Sequence, residues 1–443
     1  MIDIRYRKGS LLIRGDLGTP YAKWDPRAEA FRALPLHYSD IIEYLERSRV
    51  LYRDRADESL PMPPLNSKLE LRPYQREALD AWLDAGRRGV IELPTGSGKT
   101  YIALKGIERI NLATLVIVPT LDLVDQWRDE LEEVYSIEVG VYGGGESILK
   151  PLTVSTYDSA YIRAEQIGNR FSFLVFDEVH HLPAPSYMQI AEMYTAPYRM
   201  GLTATYERPD GGHEELPRLV GGRVYRLDVD ALTGQHLSPY THERIYVDLT
   251  PKEREVYEQE YNVFTGYLER KGIPMRSQED FKRFIMYTGG DPDAREALLA
   301  RNRAVEIALN SSAKIEVLSD LLRAYNDEKT IIFTRHNDLV YRLSERFLIP
   351  AITHRTPKSE RRRTLEEFRS GDYRVVVTSQ VLDEGIDVPD ASVAFIISGT
   401  GSSREYIQRL GRILRKRKGK TAKLFELVAR DTVESRISWR RHR

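Results

Sequence analysis

Cysteine is absent from all 443 residues. That single gap excludes disulfides, thiolate nucleophiles, zinc–cysteine sites and iron–sulfur clusters, and it suits an intracellular setting. Net charge is absent as well, because 66 Lys and Arg balance 66 Asp and Glu. The chain as a whole therefore does not advertise a polyanionic partner, and any phosphate-binding surface has to come from local segregation of bases. Long apolar runs are missing too: nothing approaches the roughly 20 residues of a membrane span. The first residues, MIDIRYRKGSLLIRGD, carry Asp3, Arg5, Arg7, Lys8 and Arg14 and leave no apolar core for a signal peptide. The expectation is a soluble, cytoplasmic chain with no membrane partner.

What is present is 41% apolar residues, enough for about two to four domains with real cores. Ile2, Ile4 and Tyr6, a Lys8-Gly9 turn, then Leu11 and Ile13 predict a β-hairpin over 2–16. "HYSDIIEYLERSRV" predicts a helix with Ile41, Ile42, Leu45 and Val50 on one side. "ESLPMPPLNSK" at 58–68 is Pro-rich and is expected to be a linker, so residues 1–57 form a small separate module. From residue 70 onward, β-rich runs alternate with helical segments: "GVIEL", "TLVIVP", "LTVST", "FLVFDEV" and "RMGLTAT". The alternation restarts at "TIIFTRH" and continues through "RVVVTSQ", "VAFIIS" and "AKLFELVA". Such alternation implies right-handed βαβ crossovers and two α/β lobes with parallel sheets. The expected boundaries are 69–228 for lobe one and 229–443 for lobe two. A helical insertion at 250–311 interrupts the second, with Tyr257, Tyr261, Phe264 and Leu268 at helical spacing; these aromatics are expected in its core.

"LPTGSGKT" at 93–100 follows an apolar strand and opens a helix. Gly96 and Gly98 let backbone N–H groups approach phosphate oxygens, flanked by Pro94, Thr95 and Ser97. Lys99 supplies charge at the β and γ phosphates, and Thr100 offers its hydroxyl to Mg²⁺. The strict pattern has Gly where this chain has Leu93. A phosphate loop of this kind needs a carboxylate site at the end of a neighbouring parallel strand. "FLVFDEVHH" supplies one, with Asp177 for Mg²⁺ and Glu178 as general base toward water. Adjacent His180 and His181 match neither an HExxH helix nor a zinc finger, so a transition-metal centre is not the favoured reading. His180 is expected to couple the nucleotide site to the second lobe, and His181 to be a hydrogen-bonded loop residue. In "LRPYQREAL", Gln75 has the geometry to bond an adenine edge, with Arg72 beside it. "SSREYIQRLGRILR" places Gln408, Arg409, Arg412 and Arg415 on one helix, with Arg412 and Arg415 on one face as candidate arginine fingers. The densest basic run is "RLGRILRKRKGK" at 409–420, and the C-terminal "SWRRHR" reads first as a solvated tail and second as a DNA contact.

In this order, the loop, "LTVSTYDSAY", DEVH, "GLTAT", "IIFTRH", "QVLDEGIDVPDA" and "YIQRLGRILR" resemble superfamily-two helicases. The DEVH form and the short N-terminal module resemble the XPB family, and archaeal XPB most. That resemblance implies an ATP-dependent DNA helicase or translocase with 3′→5′ polarity, acting in nucleotide excision repair and, in eukaryotes, in promoter opening within TFIIH. It implies two RecA-like lobes, a damage-recognition-like module at 1–57 and a thumb-like insertion at 250–311. It carries ATP and Mg²⁺ to Lys99, Thr100, Asp177 and Glu178, completed from lobe two by Gln408, Arg412, Arg415, Gly385 and Asp387. Thr203 and Thr205 become coupling residues. Arg335 and Thr378 fall near the DNA backbone, as do Arg208 and Asp210. The partners implied are duplex and single-stranded DNA and a nuclease, with the chain a monomer or one half of a heterodimer.

One position departs from the family: an Arg-Glu-Asp element is here Arg208, Pro209, Asp210, so a charge and an N–H are lost. Three rivals stay open: an RNA-dependent ATPase on the same scaffold, a nucleotide-binding scaffold without turnover, and a translocase that does not separate strands.

Overall fold

The computed structural model describes residues 1–15, 18–208, 210–228, 231, 240–275, 277–379, 391–398 and 422–435. The chain divides into two compact units between residues 236 and 237.

The N-terminal module is a five-stranded sheet. Its strands are β1 (Ile2–Arg7), β2 (Ser10–Arg14), β3 (Ala22–Asp25), β4 (Ala30–Ala33) and β5 (Tyr52–Arg55), in the order β3-β4-β2-β1-β5. The hairpin expected over 2–16 is β1–β2, turning through Lys8 and Gly9, which both have positive φ, as a two-residue turn of the primed type requires. A side chain at Gly9 would also strike Met193, its Cβ falling 1.9 Å from the thioether methyl. β3, β4 and β5 are too short and too polar to register as alternating runs.

Alternation puts Ile2, Ile4, Leu11 and Ile13 on one face, where they pack with Ile41 and Leu45 of helix α1 (Tyr38–Arg47). Val50 does not join them. The helix ends at Ser48, Arg49 turns through a positive φ, and Val50 is exposed beyond it.

Nor is the module loosely tethered. The Tyr6 hydroxyl donates to the carbonyls of Ala164 and Met193 at 2.6 and 3.0 Å. The Pro-rich segment lies strapped along the first lobe. Glu58 and Leu60 donate backbone N–H groups to Asn169 and Arg170, and Leu65 donates to the Asn111 side chain. Extended Pro-rich backbone has N–H groups to spare and finds them partners on the lobe surface.

The first lobe holds eight strands: β6 (Arg88–Glu92), β7 (Thr114–Val118), β8 (Gly140–Gly143), β9 (Glu146–Ser147), β10 (Leu152–Thr156), β11 (Phe173–Asp177), β12 (Tyr198–Thr203) and β13 (Arg223–Arg226). Their order is β13-β6-β12-β11-β7-β10-β8-β9, and every pair except β8–β9 is parallel. β7, β10 and nearly all of β11 are buried on both faces, as a sheet covered by helices on both sides requires. This order sets the carboxyl ends of β6, β12 and β11 side by side.

The second unit repeats the plan. β14 (Tyr240–Val247), β15 (Thr330–Phe333), β16 (Ala351–Ile352), β17 (Val375–Thr378), β18 (Val393–Ile396) and β19 (Ala422–Ala429) form an all-parallel sheet ordered β14-β19-β18-β15-β17-β16. The architecture is thus α/β with parallel sheets, as the strand–helix alternation predicts.

Three helices, Pro251–Lys271, Gln278–Tyr287 and Pro292–Leu309, fill the insertion. Their shared core takes Phe264, Tyr267, Leu268 and Phe284 against Ala294 and Ala297. Ala300, Ala304 and Ala308 continue a fully buried small-residue row that lets the third helix pack closely on the first. Tyr257 and Phe264 are buried, so these insertion aromatics are core. Among the described residues no helix is long and apolar enough to cross a membrane.

Candidate nucleotide site

β6 ends in the loop Leu93–Gly98, and α3 (Lys99–Ile110; α2 is Pro73–Asp84) starts at Lys99. Leu93, where the strict pattern has glycine, is fully buried and donates its N–H to Thr203 at 3.0 Å. It belongs to the core beneath the loop, so its side chain does not obstruct the turn. Gly96 and Gly98 have φ of 82° and 79°, a region costly to any residue with a Cβ. A Cβ at Gly98 would in addition sit 2.5 Å from the Gln75 amide nitrogen.

That contact places Gln75 against the loop. Its side chain is 2% exposed. Its NH₂ group donates to the carbonyls of Ser97 and Gly98 at 2.8 and 3.3 Å, and its oxygen accepts the Arg72 N–H at 2.9 Å. The amide nitrogen thus holds the loop, while the oxygen caps the start of α2. Tyr74, which the sequence did not single out, also donates to the Ser97 carbonyl, at 2.5 Å.

The loop is cupped for an anion. The hydroxyls of Thr95 and Ser97 are buried without a hydrogen-bond partner among the described residues. Lys99 folds its ammonium back onto the carbonyls of Leu93 and Pro94 at 3.0 and 3.4 Å. Those carbonyl oxygens stand where an anion's oxygens would compete for the same charge. The α3 N-terminus adds its partial positive charge.

Asp177 closes β11, two strands from β6. One carboxylate oxygen accepts the Trp127 indole N–H at 2.9 Å, and the other accepts the Glu178 N–H at 3.0 Å. Burial pushes its carboxyl above the usual range, opposed by the indole hydrogen bond and by the charge of Lys99. Trp127 comes from α4 (Leu121–Tyr135), which follows β7, the other neighbour of β11. The sequence marks that helix but gives no sign of what its tryptophan meets. Tyr157 adds a hydrogen bond to the Asp177 carbonyl at 3.0 Å. The donor set suits a divalent cation: a hard carboxylate oxygen oriented by two N–H groups. Thr100 is the second residue of α3.

Glu178 sits at φ 49°, ψ 54°, a left-handed conformation that costs about 1–3 kcal/mol for a residue with a side chain and clusters at functional sites. It turns the carboxylate to within 3.4 Å of the His180 Nδ1. His180 is fully buried, with Nδ1 3.0 Å from the Thr203 hydroxyl at the end of β12. Thr203 donates to the Thr205 carbonyl and accepts the Thr205 N–H. Arg208 donates to the His180 carbonyl, and grips Asp210 through two hydrogen bonds of 2.9 and 2.6 Å. This pair holds the Asp210 carboxyl well below the usual range. One connected polar path therefore runs from Glu178 through His180 to Thr203 and to Arg208. His181 stays in the loop, its ring 5.9 Å from that of Tyr157. No cluster of three or more potential metal-ligating side chains of His, Cys, Asp and Glu occurs among the described residues.

In the second unit, Thr378 ends β17 and is buried, while Arg335 is exposed just past β15, the paired neighbour of β17. The Arg335 N–H donates to the Ser398 hydroxyl at 2.9 Å. Gly385, Asp387, Gln408, Arg409, Arg412 and Arg415 lie outside the described residues, and so does Pro209.

Known proteins share this organisation. Residues 4–56 match the model of the xeroderma pigmentosum group B helicase damage recognition domain, 68–208 that of the type III restriction enzyme res subunit, and 313–417 the helicase conserved C-terminal domain. A DNA 3′-5′ translocase XPB2 of Sulfurisphaera tokodaii is 46% identical over 441 residues, covering 100% of both chains. A DNA 3′-5′ helicase XPB of Mycobacterium tuberculosis is 30% identical over 388 residues, which are 84% of this chain and 63% of that one. Among solved structures, the Hef helicase domain of Pyrococcus furiosus superposes with a TM-score of 0.56 at 20% identity, over 84% of this chain and 98% of that one. This last likeness is one of fold.

Proposed function

The chain belongs to the XPB family of DNA helicases and translocases, and from that premise we propose that it hydrolyses ATP to drive 3′→5′ movement along DNA in nucleotide excision repair. The observation that carries the reading is local. A glycine-turned loop with Lys99 follows β6, and Asp177 and Glu178 end β11 two strands away, all at carboxyl ends in the parallel part of one sheet. Such strand ends are where α/β sheets bind nucleotides.

In this mechanism the loop N–H groups and Lys99 hold the β and γ phosphates, with the α3 N-terminus behind them. Thr100 and Asp177 would hold Mg²⁺, which would supply positive charge to the phosphate oxygens. Trp127 keeps the Asp177 carboxylate oriented. Glu178 accepts the proton of the attacking water. His180, Thr203 and Thr205 pass the state of that site to Arg208 and Asp210, which we assign with Arg335 and Thr378 to the nucleic-acid path. Gln408, Arg412, Arg415, Gly385 and Asp387 complete the site from lobe two on the strength of the family pattern. The division we propose is a damage-recognition-like module at 1–57, a strap at 58–68, lobe one at 69–228, and lobe two at 229–443 with a thumb-like insertion at 250–311. A nuclease partner in a heterodimer is part of the same reading.

A second reading, translocation without strand separation, is favoured by Pro209 in place of an acid. The primary test is ATPase activity measured in parallel with single-stranded DNA, duplex DNA and RNA. Stimulation by DNA is expected, and stimulation by RNA alone would refute the reading. Lys99→Ala is expected to cut turnover by at least the hundredfold to thousandfold typical of losing one preorganised charge-stabilising donor. Unchanged turnover in that variant would refute the site and leave the scaffold reading standing.

A further inference from the structure

One face of the N-terminal sheet is covered by α1, and the other is bare. The strand register decides which residues stand on the bare side, because side chains alternate along each strand and partners across a ladder share a face. Ile2 and Ile4 of β1 point into the core, so Asp3, Arg5 and Arg7 point away. β5 pairs Arg53 with Asp3 and Arg55 with Arg5. β2 pairs Arg14 with Asp3, and β4 sets Arg32 opposite Leu12. β3 adds Lys23 opposite Arg32, with Asp25 on the same side.

All five strands thus contribute to one surface with seven bases and two acids, a surplus of five in a chain whose total charge is zero. All seven bases are exposed. Asp3 is paired with Arg5 and Arg55, and Asp25 with Arg32, so both acids are already matched. Among the described residues Arg7, Arg14 and Arg53 make no salt bridge, and all three are exposed.

The face is also without aromatics. Tyr6, Trp24, Phe31 and Tyr52 all fall on the opposite side. It therefore has nothing on which a base could stack, and its side chains are suited to phosphate instead. Bases two residues apart on one strand stand roughly 6.8 Å apart. The array is two-dimensional and rigid, unlike a basic tail. Docking onto the first lobe uses the Tyr6 side of the module and the Lys8–Gly9 turn, leaving the basic face free.

We propose that this face, built around Arg7, Arg14 and Arg53, holds the phosphodiester backbone of duplex DNA without regard to sequence or to damage. The proposal rests on the reading of the chain as a protein that acts on DNA. It places on the module a general backbone clamp, which is a different task from reading a lesion.

The test is anisotropy of a labelled duplex with the full chain between about 50 and 200 mM salt. It compares wild type with R7Q/R14Q/R53Q and with R7K/R14K/R53K, on intact and on lesion-bearing DNA. Loss of three phosphate contacts lowers the salt slope by about 2.7, since each contributes about 0.9. The Gln triple variant is expected to show that drop equally on both duplexes, while the Lys variant keeps the slope. Thermal midpoint and DNA-free ATPase should stay at wild-type values. Wild-type slope in the Gln variant overturns the proposal, as does a loss confined to lesion-bearing DNA. A wild-type chain that binds no DNA at all overturns the underlying reading as well, which separates the two failures.

Discussion

The indole N–H of Trp127 donates to the carboxylate of Asp177 at 2.9 Å, joining the helix after β7 to the end of β11. A tryptophan that is 1% exposed needs a partner for its N–H, and a carboxylate that is to hold a cation needs a fixed orientation. Each meets the requirement of the other. Trp127→Phe keeps the packing and deletes the donor. The expected result is about 10-fold weaker apparent Mg²⁺ affinity in the ATPase assay, the low end for losing an outer-shell partner, with DNA binding unchanged. Wild-type Mg²⁺ dependence would show that the carboxylate does not need the indole.

Arg199 presents a different sort of burial. Its guanidinium is fully enclosed and donates to the carbonyls of Ala196, Leu219 and Tyr194 at 3.1, 2.7 and 3.0 Å. Burial pushes its pKa well down, helped by the nearby charge of Arg88. Arg199→Met fills similar volume but abandons three buried carbonyls, each worth about 1–3 kcal/mol when left unmet. The first lobe is expected to lose several kcal/mol, read as a lower urea midpoint. A midpoint within experimental error of wild type would mean that water or a backbone shift satisfies those carbonyls.

His336 gives the second unit a pH dependence. Burial lowers its pKa below the ordinary 6.5, and the neighbouring charge of Arg335 lowers it further, against Glu306 and Asp338. The folded state then binds fewer protons than the unfolded chain at pH values between the depressed pKa and 6.5. Stability rises with pH across that window, and the contribution is lost as pH falls through it. Replacing the ring by Gln removes the titration. The wild-type urea midpoint should fall more than that of His336→Gln between neutral pH and pH about 5. Parallel curves would contradict the assignment, as would an imidazole titration by NMR at or above the ordinary value.

The sequence was informative where a motif is contiguous. The glycines of 93–100 demanded positive φ at Gly96 and Gly98, and the apolar run before Asp177 required a buried parallel strand. It was silent where function depends on which strands are neighbours. Nothing in "LDLVDQW" says that β7 lies beside β11, so Trp127 could not be matched to Asp177. The residue type of Gln75 suits an adenine edge, but nothing in "LRPYQREAL" says that folding also brings the Gln75 amide to the carbonyls of Ser97 and Gly98. Val50 failed because a positive φ at Arg49 ends the helix, and a non-glycine residue gives little warning of that. The basic face of the module was hidden by its own periodicity, since IDIRYR and YRDR contribute bases only at every second position.

Pro209 separates Arg208 from Asp210, which grip one another directly. Arg208 also reaches the carbonyl of His180, so this element is wired to the catalytic loop whatever stands between its two charges. A proline there contributes neither an acid nor an N–H. The polar path from Glu178 through His180 thus reaches Arg208 and Asp210, while residue 209 between them carries no charge. Pro209→Glu introduces an acid at that position and leaves Lys99, Asp177 and Glu178 unchanged. The expected outcome is unchanged DNA-stimulated ATPase with a several-fold gain in strand displacement on a forked duplex, measured by release of a labelled strand. Equal displacement by the two proteins would make the substitution irrelevant to unwinding. A parallel fall in ATPase would place residue 209 on the path between His180 and Arg208, making it part of the coupling rather than of the separating edge.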